Sequence, residues 1–192
     1  MSIKPFVMAF LFSAGAAQAS IWNFTLDLAG ANESPPVVSA GTGSGTVSID
    51  DVAFTLQLDV TFSGLTGTTT ATHIHAATAV PFAGNAGVAT TTPTFTGFPS
   101  GVSSGSYSQL FDMTLASSYN ATYITNNGGT TASAFAALLA AANNGQAYLN
   151  IHTSTSPGGE IRGFVTPVPE TGSSGLLLLG AAGCGLFRRR VK

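Results

Sequence analysis

Residues 72–76 read Thr-His-Ile-His-Ala and residues 150–153 read Asn-Ile-His-Thr; between them the two stretches carry all three histidines of the chain, His73, His75 and His152. On a β-strand, side chains at i and i+2 leave from the same face. With Ile74 and Ile151 taken as the apolar neighbours, all three imidazoles project to the polar, water-facing side of their strands. If those strands are neighbours in one sheet the rings converge, and three nitrogen ligands with an open position suit zinc or copper. Two other readings use the same residues. The imidazoles can be rungs of a hydrogen-bonded ladder, pairing with Glu160, Asn150 or Thr153 and holding a hairpin together without a ligand. They can also form a polar surface that contacts another protein or a glycan.

The elements that must position these groups are strands. Pro157-Gly158-Gly159 is a turn signal between two alternating runs, so 148–152 and 160–164 should pair as a hairpin. With His152 opposite Glu160, Asn150 faces Arg162 and Tyr148 faces Phe164, a polar cluster of Asn150, Glu160 and Arg162 backed by Leu149, Ile151, Ile161 and Val165 on the other face. A carboxylate beside His152 would raise its pKa or fix its tautomer.

The segments FTLDLAG, TVSID, FTLQLDVTFSG, SYSQLFDMTL, AYLNIHT and EIRGFV alternate apolar and polar residues between Gly, Pro, Asn and Ser. Phe54, Leu56, Leu58 and Val60 share one face of a half-buried antiparallel strand. The Ala- and Leu-rich stretch 131–143 predicts a short helix capped by Thr130 or Thr131 and ended by Asn143-Asn144-Gly145. Residues 80–105 predict a long connection with one short strand near 94–98. The fold expected is all-β: an antiparallel Greek-key sandwich or flattened barrel with one short helix.

Composition removes several functions. Charged residues make up 7% of the chain, and between residues 20 and 166 seven carboxylates face one strong cation, Arg162, for a formal charge of −6. Nucleic-acid binding needs clustered Lys and Arg and is excluded. The single cysteine, Cys184, rules out an intramolecular disulfide. Catalytic patterns are thin. Gly41-Thr42-Gly43-Ser44-Gly45 is not a nucleophile elbow, nothing places Glu33 beside Glu160 as a glycosidase pair, and Asp50-Asp51 reads as a turn before it reads as a calcium site. No catalytic residue is assigned.

Both ends read as targeting signals. Lys4, an apolar run over 6–17 and the small-x-small site Ala17-Gln18-Ala19 form a secretory signal cut after Ala19. The folded part then spans residues 20–166. At the other end, Val168-Pro169-Glu170-Thr171-Gly172 precedes an apolar segment over 175–187 and the basic stop Arg188, Arg189 and Arg190, within 167–192. Thirteen residues reach roughly 20 Å as a helix, short of the roughly 30 Å hydrocarbon core. The arginines hold that end in the cytoplasm, so the domain faces outward. This three-part tail resembles the PEP-CTERM sorting signals processed by exosortases in Gram-negative bacteria, with Pro169-Glu170-Thr171 in place of Pro-Glu-Pro. It is also similar to a sortase signal, and a plain single-span anchor is the third reading. The resemblance implies a processing enzyme of the exosortase or sortase type as a partner, and the membrane as another before processing. It places the chain beyond the inner membrane, in the envelope or extracellular matrix of a Gram-negative type bacterium.

One resemblance covers the whole middle of the chain. LAGANESPPVVSAGTGSGTVSID, ATHIHAATA, the Ala-Leu helix and AYLNIHTSTSPGGEIRGFV are together similar to the CHRD domain, from about Phe24 to Val165. That resemblance implies an extracellular β-sandwich of poorly defined molecular role; taken with the two targeting signals and the charge-poor, Thr-rich surface, it leads to the expectation of a non-catalytic binding or structural role, with an envelope polysaccharide or another surface protein as partner. It implies no known catalytic residues, so none is carried over. The His-x-His strand and the glycine-rich hairpin also resemble copper-zinc superoxide dismutase, whose second metal takes further histidines and an aspartate. No histidine remains here to supply them, so a single mononuclear copper or zinc site is the most that likeness implies.

Overall fold

A computed structural model of the protein describes residues 20–169. Eight strands form one antiparallel curled sheet in the order β4-β6-β7-β1-β2-β3-β5, with β8 beside β1. They are β1 (Ile21–Ala29), β2 (Thr42–Asp50), β3 (Thr55–Ser63), β4 (Thr69–His75), β5 (Gly105–Asp112), β6 (Tyr148–Thr153), β7 (Ile161–Phe164) and β8 (Thr166–Pro167). The all-β antiparallel fold with a short helix is the one the alternation demands. Strand β3 shows why: Leu56, Leu58, Val60 and Phe62 are at most 4% exposed, and the residues between them face outward.

Both arms of the sheet contribute to one core. Phe24, Leu28, Ile49 and Leu58 of β1–β3 pack in the same cluster as Ile74, Leu149, Ile151 and Ile161 of β4, β6 and β7. Helix α2 (Thr131–Asn143) adds Ala134, Phe135 and Leu138 to it. Its start is a capping box: the Thr130 side chain accepts from Ser133 N at 3.1 Å, and the Ser133 hydroxyl accepts from Thr130 N at 3.2 Å. Gly145, at φ +65°, follows its C-cap Asn144.

Two expectations about the connections are corrected. A second helix, α1 (Ala121–Asn126), precedes α2, its N-cap Asn120 accepting from Thr122 N. Six residues are too few for an apolar period to stand out in sequence. No strand occupies 94–98; Phe95 and Phe98 instead turn inward, 1% and 7% exposed, and stack against Tyr107 and Phe62.

The long connection 76–104 does more than join β4 to β5. It runs along the open edge of β4, where Gly101 N donates to Thr69 O, Phe95 N to Thr72 O and Ala89 N to Ile74 O. The edge that would template aggregation is thereby covered. Residues 1–19 and 170–192 lie outside the described residues, and with them Ala17, Ala19, Glu170, Thr171, Gly172, Arg188, Arg189 and Arg190. Of the sorting motif only Val168 and Pro169 are described, Val168 N donating to Asn23 O at 2.9 Å. No helix among the described residues is long and apolar enough to cross a membrane.

Candidate metal centre

The register of β4 on β6 sets the site. His73 lies opposite Asn150, Ala71 opposite His152 and His75 opposite Tyr148, so the three histidines leave one face of two adjacent strands. Their ring centroids are 5.1 Å apart for His73 and His152, 5.7 Å for His73 and His75, and 5.9 Å for His75 and His152. One ring nitrogen of each lies within 4.8 Å of the other two. Strand β7 extends the row: Arg162 pairs with Asn150 and Phe164 with Tyr148.

The expected water-facing position is corrected. His73 and His75 are 7% and 8% exposed and His152 is half-buried. Ile74 is buried on the other face as expected, but the connection 76–104 roofs the histidine face. An alternating pattern reports which residues leave the sheet together, and a loop that folds back over them leaves no trace in it.

The roof and the hairpin turn also fix the protonation of each ring. His73 Nε2 lies 2.5 Å from Pro93 O, His75 Nδ1 2.9 Å from Ala86 O, and His152 Nδ1 2.9 Å from Pro157 O. A carbonyl oxygen can only accept, so each of those nitrogens carries its proton. The lone pair therefore sits on the other nitrogen: Nδ1 of His73, Nε2 of His75 and Nε2 of His152. Those three atoms are buried and have no hydrogen-bond partner among the described residues. Burial, the largest influence, lowers the pKa of all three, and of His75 to about 4, while the carbonyl contacts act weakly the other way. The rings are neutral at pH 7, the state in which a histidine binds metal.

Three buried acceptors on neighbouring rings are a costly arrangement unless something donates to all of them. A water molecule has two protons to give and leaves the third lone pair unmet. A single cation meets all three. If the nitrogens form a triangle with sides of 4.8 Å, its centre is about 2.8 Å from each corner, so closure by under about 1 Å reaches the 2.0–2.1 Å of a zinc–imidazole bond. In such a site the carbonyl partners would serve as the outer contacts that orient the histidines.

The expected partnership of His152 with Glu160 is corrected. The β6–β7 ladder ends at Ile151 and Ile161, and beyond it Gly159, at φ +127°, turns the chain so that the Glu160 carboxylate passes to the Thr153 side. There it is wholly buried and accepts from Ser39 Oγ, Thr66 N, Gly67 N and Thr153 Oγ1. Burial by itself would raise its pKa, but these donors together outweigh it and hold the carboxyl at about 2. Of the expected polar cluster, Asn150 and Arg162 stay together next to the histidines and Glu160 leaves.

Arg162 is the residue that sequence reasoning most underrated. The one strong cation of residues 20–166 is 2% exposed, its Cζ 4.6 Å from the Tyr148 centroid and 5.3 Å from that of Phe164. It donates to Asn32 O, Gly84 O and Asn85 Oδ1. Tyr148 stacks on His75 at 4.8 Å, so it joins the histidine cluster to the arginine. The signal available was the strict alternation Arg162, Phe164 against Tyr148, Asn150. The Asp50-Asp51 pair serves turns, as expected: Asp50 accepts from Val52 N and Ala53 N, and Asp51 from Trp22 Nε1.

No curated protein and no solved structure matches the chain. The family model for the CHRD domain matches residues 24–165, from the first buried phenylalanine of β1 to the end of the hairpin that carries His152 and Arg162. The span holds most of β1, strands β2 to β7, both helices and the whole histidine cluster, and so the chain belongs to the CHRD domain family.

Proposed function

We propose that this CHRD domain is a non-catalytic metal-binding protein of the bacterial cell envelope. It is exported, held at the membrane through its C-terminal segment before an exosortase-type enzyme processes it, and binds one zinc or copper ion on His73, His75 and His152. The observation that carries the metal assignment is the clustering of three imidazoles, each with one buried, unpartnered ring nitrogen. Each is fixed by a backbone carbonyl on the opposite side of its ring. Support for the location is in the sequence: the positive, apolar and small-residue parts of 1–19, and the VPETG, apolar and triple-arginine parts of 168–190. Support for a binding role is the CHRD membership.

Metal content of untagged protein tests the assignment. Near-stoichiometric zinc or copper is expected, with loss of binding in each of His73→Ala, His75→Ala and His152→Ala. At a free metal concentration of about 100 times Kd the gain is about 2.7 kcal/mol, or a Tm rise of roughly 5–10 °C for a domain of this size. Metal-free protein whose Tm ignores both ions would reduce the histidines to a hydrogen-bonded ladder. Cell fractionation with mass measurement of both termini tests export: a mature N-terminus at Ser20 and a chain shortened near Thr171 are expected.

A further inference from the structure

Next to the metal centre, on the far side of Tyr148, a cleft of about 570 Å³ opens between the turn after β1, the start of the long connection and the outer residues of β7. Asp27, Asn32, Glu33, Phe82, Arg162 and Phe164 are among its walls. We infer that this cleft binds a neutral saccharide, a sugar unit of an envelope or matrix polysaccharide, with Glu33 and Arg162 taking its hydroxyls and Phe82 and Phe164 its C–H face.

The floor is built and rigid. Glu33 and Arg162 have side chains only 6% and 3% exposed, yet Glu33 Oε2 stands 3.9 Å from Arg162 Nε, too far for a hydrogen bond. Arg162 cannot swing closer, because Nε and Nη1 are committed to Asn32 O, Gly84 O and Asn85 Oδ1 and its plane lies against two rings. Glu33 Oε1 is buried and accepts nothing among the described residues. A buried carboxylate oxygen without a donor is costly, and a ligand O–H supplies the donor. Burial already lifts the Glu33 carboxyl to about 7 against the lowering influence of Arg162.

The walls select the kind of ligand. Phe82 is 53% exposed and sits at φ +55°, a conformation a bulky residue adopts only when its surroundings hold it there. Its amide donates to Gly145 O at 2.7 Å, and its ring lies where a side chain at 145 would have to go. The ring meets Phe164 edge-on at 5.8 Å. The result is an apolar shelf in the same cleft as the Glu33 carboxyl and the Arg162 guanidinium, which lies over the Phe164 ring. An anionic ligand meets Asp27 and Glu33 and has no other strong cation within residues 20–166 to attract it. A cationic ligand meets Arg162. A ring with hydroxyls on its edge and a C–H face fits both the paired polar groups and the shelf.

The cleft does not depend on the metal assignment, and its test does not touch the histidines. Saturation-transfer NMR and calorimetry on the purified full-length chain would screen glucose, galactose, N-acetylglucosamine and their short oligomers beside glucuronate and glucosamine. At least one neutral sugar is expected to bind, with affinity falling about tenfold, or 1.4 kcal/mol, in both Phe82→Ala and Glu33→Gln. Tm and circular dichroism should stay close to wild type in Phe82→Ala, and Phe82→Tyr should retain binding. No neutral sugar binding at millimolar concentration, binding of the charged sugars alone, or neutral sugar binding indifferent to Phe82→Ala would each overturn the inference.

Discussion

Replacing Glu160 by Gln removes one charge and almost no volume from a site with no access to solvent. The carboxylate oxygens are divided between donors. Oε1 takes Ser39 Oγ at 2.6 Å and Thr66 N at 2.5 Å, and Oε2 takes Thr153 Oγ1 at 2.6 Å and Gly67 N at 3.1 Å. A glutamine keeps one oxygen and presents an amide N–H₂ to the other pair. The Thr153 hydroxyl can rotate to accept, but the Gly67 amide cannot, so donor faces donor. The depression of the pKa from 4.5 to about 2 corresponds to about 3 kcal/mol of preference for the ionised form in the folded state. Because the folded value lies below the unfolded one, that stability is fully present above pH 4.5 and is lost as the pH falls toward 2. The loss runs at up to about 1.4 kcal/mol per pH unit. Urea unfolding of wild type and Glu160→Gln should therefore differ by about 3 kcal/mol at pH 7 and by under about 1 kcal/mol at pH 2.5. Other groups titrate equally in both proteins, so the difference isolates residue 160. A gap that is the same at pH 7 and pH 2.5, or a variant within about 0.5 kcal/mol of wild type at pH 7, would refute the claim that the ionised carboxylate clamps this corner of the fold.

Two further substitutions follow from the geometry. Thr130→Ala removes the acceptor for Ser133 N at the start of α2 and should cost about 1 kcal/mol in chemical denaturation, with Thr130→Asp restoring it. Gly159→Ala places a methyl group about 2.5 Å from Asn150 Oδ1 at a φ of +127°. Since Asn150 pairs with His73, both a loss of about 1–2 kcal/mol and a weaker zinc titration are expected; unchanged zinc affinity would separate the turn from the metal centre.

The strands, the capped helix over 131–143 and the facing pairs Asn150–Arg162 and Tyr148–Phe164 were legible because each rests on a local rule. A two-residue period, a threonine before an Ala-Leu run and a Pro-Gly-Gly turn act within a dozen residues. What was illegible depends on distant chain. Glu160 leaves the histidine face because Gly159 takes a positive φ and because Thr66 and Gly67, far away in sequence, offer their amides. The alternating register was right up to Ile161 and carried one residue too far. Phe95 and Phe98 are three residues apart and would leave opposite faces of a strand, yet both are buried in the one core. The β4 edge accepts from the amides of Phe95 and Gly101 across a loop instead.

The burial of the histidines follows from the same edge. Strand β4 ends the sheet, and an uncovered end strand is a hazard, so the connection to β5 runs along it and necessarily crosses the face from which His73 and His75 project. Covering that face without partners would strand six ring nitrogens away from water. Two bonds to the roof and one to the hairpin turn meet half of that demand. They meet it always on one nitrogen per ring and always with a carbonyl, which leaves one buried, unpartnered nitrogen on each of three clustered rings. A ladder whose only task was to hold strands together would have spent those lone pairs on the amide and hydroxyl donors that this Thr-rich chain has in abundance. That each ring keeps one such nitrogen, in rings kept neutral by burial, is the feature on which the metal proposal rests.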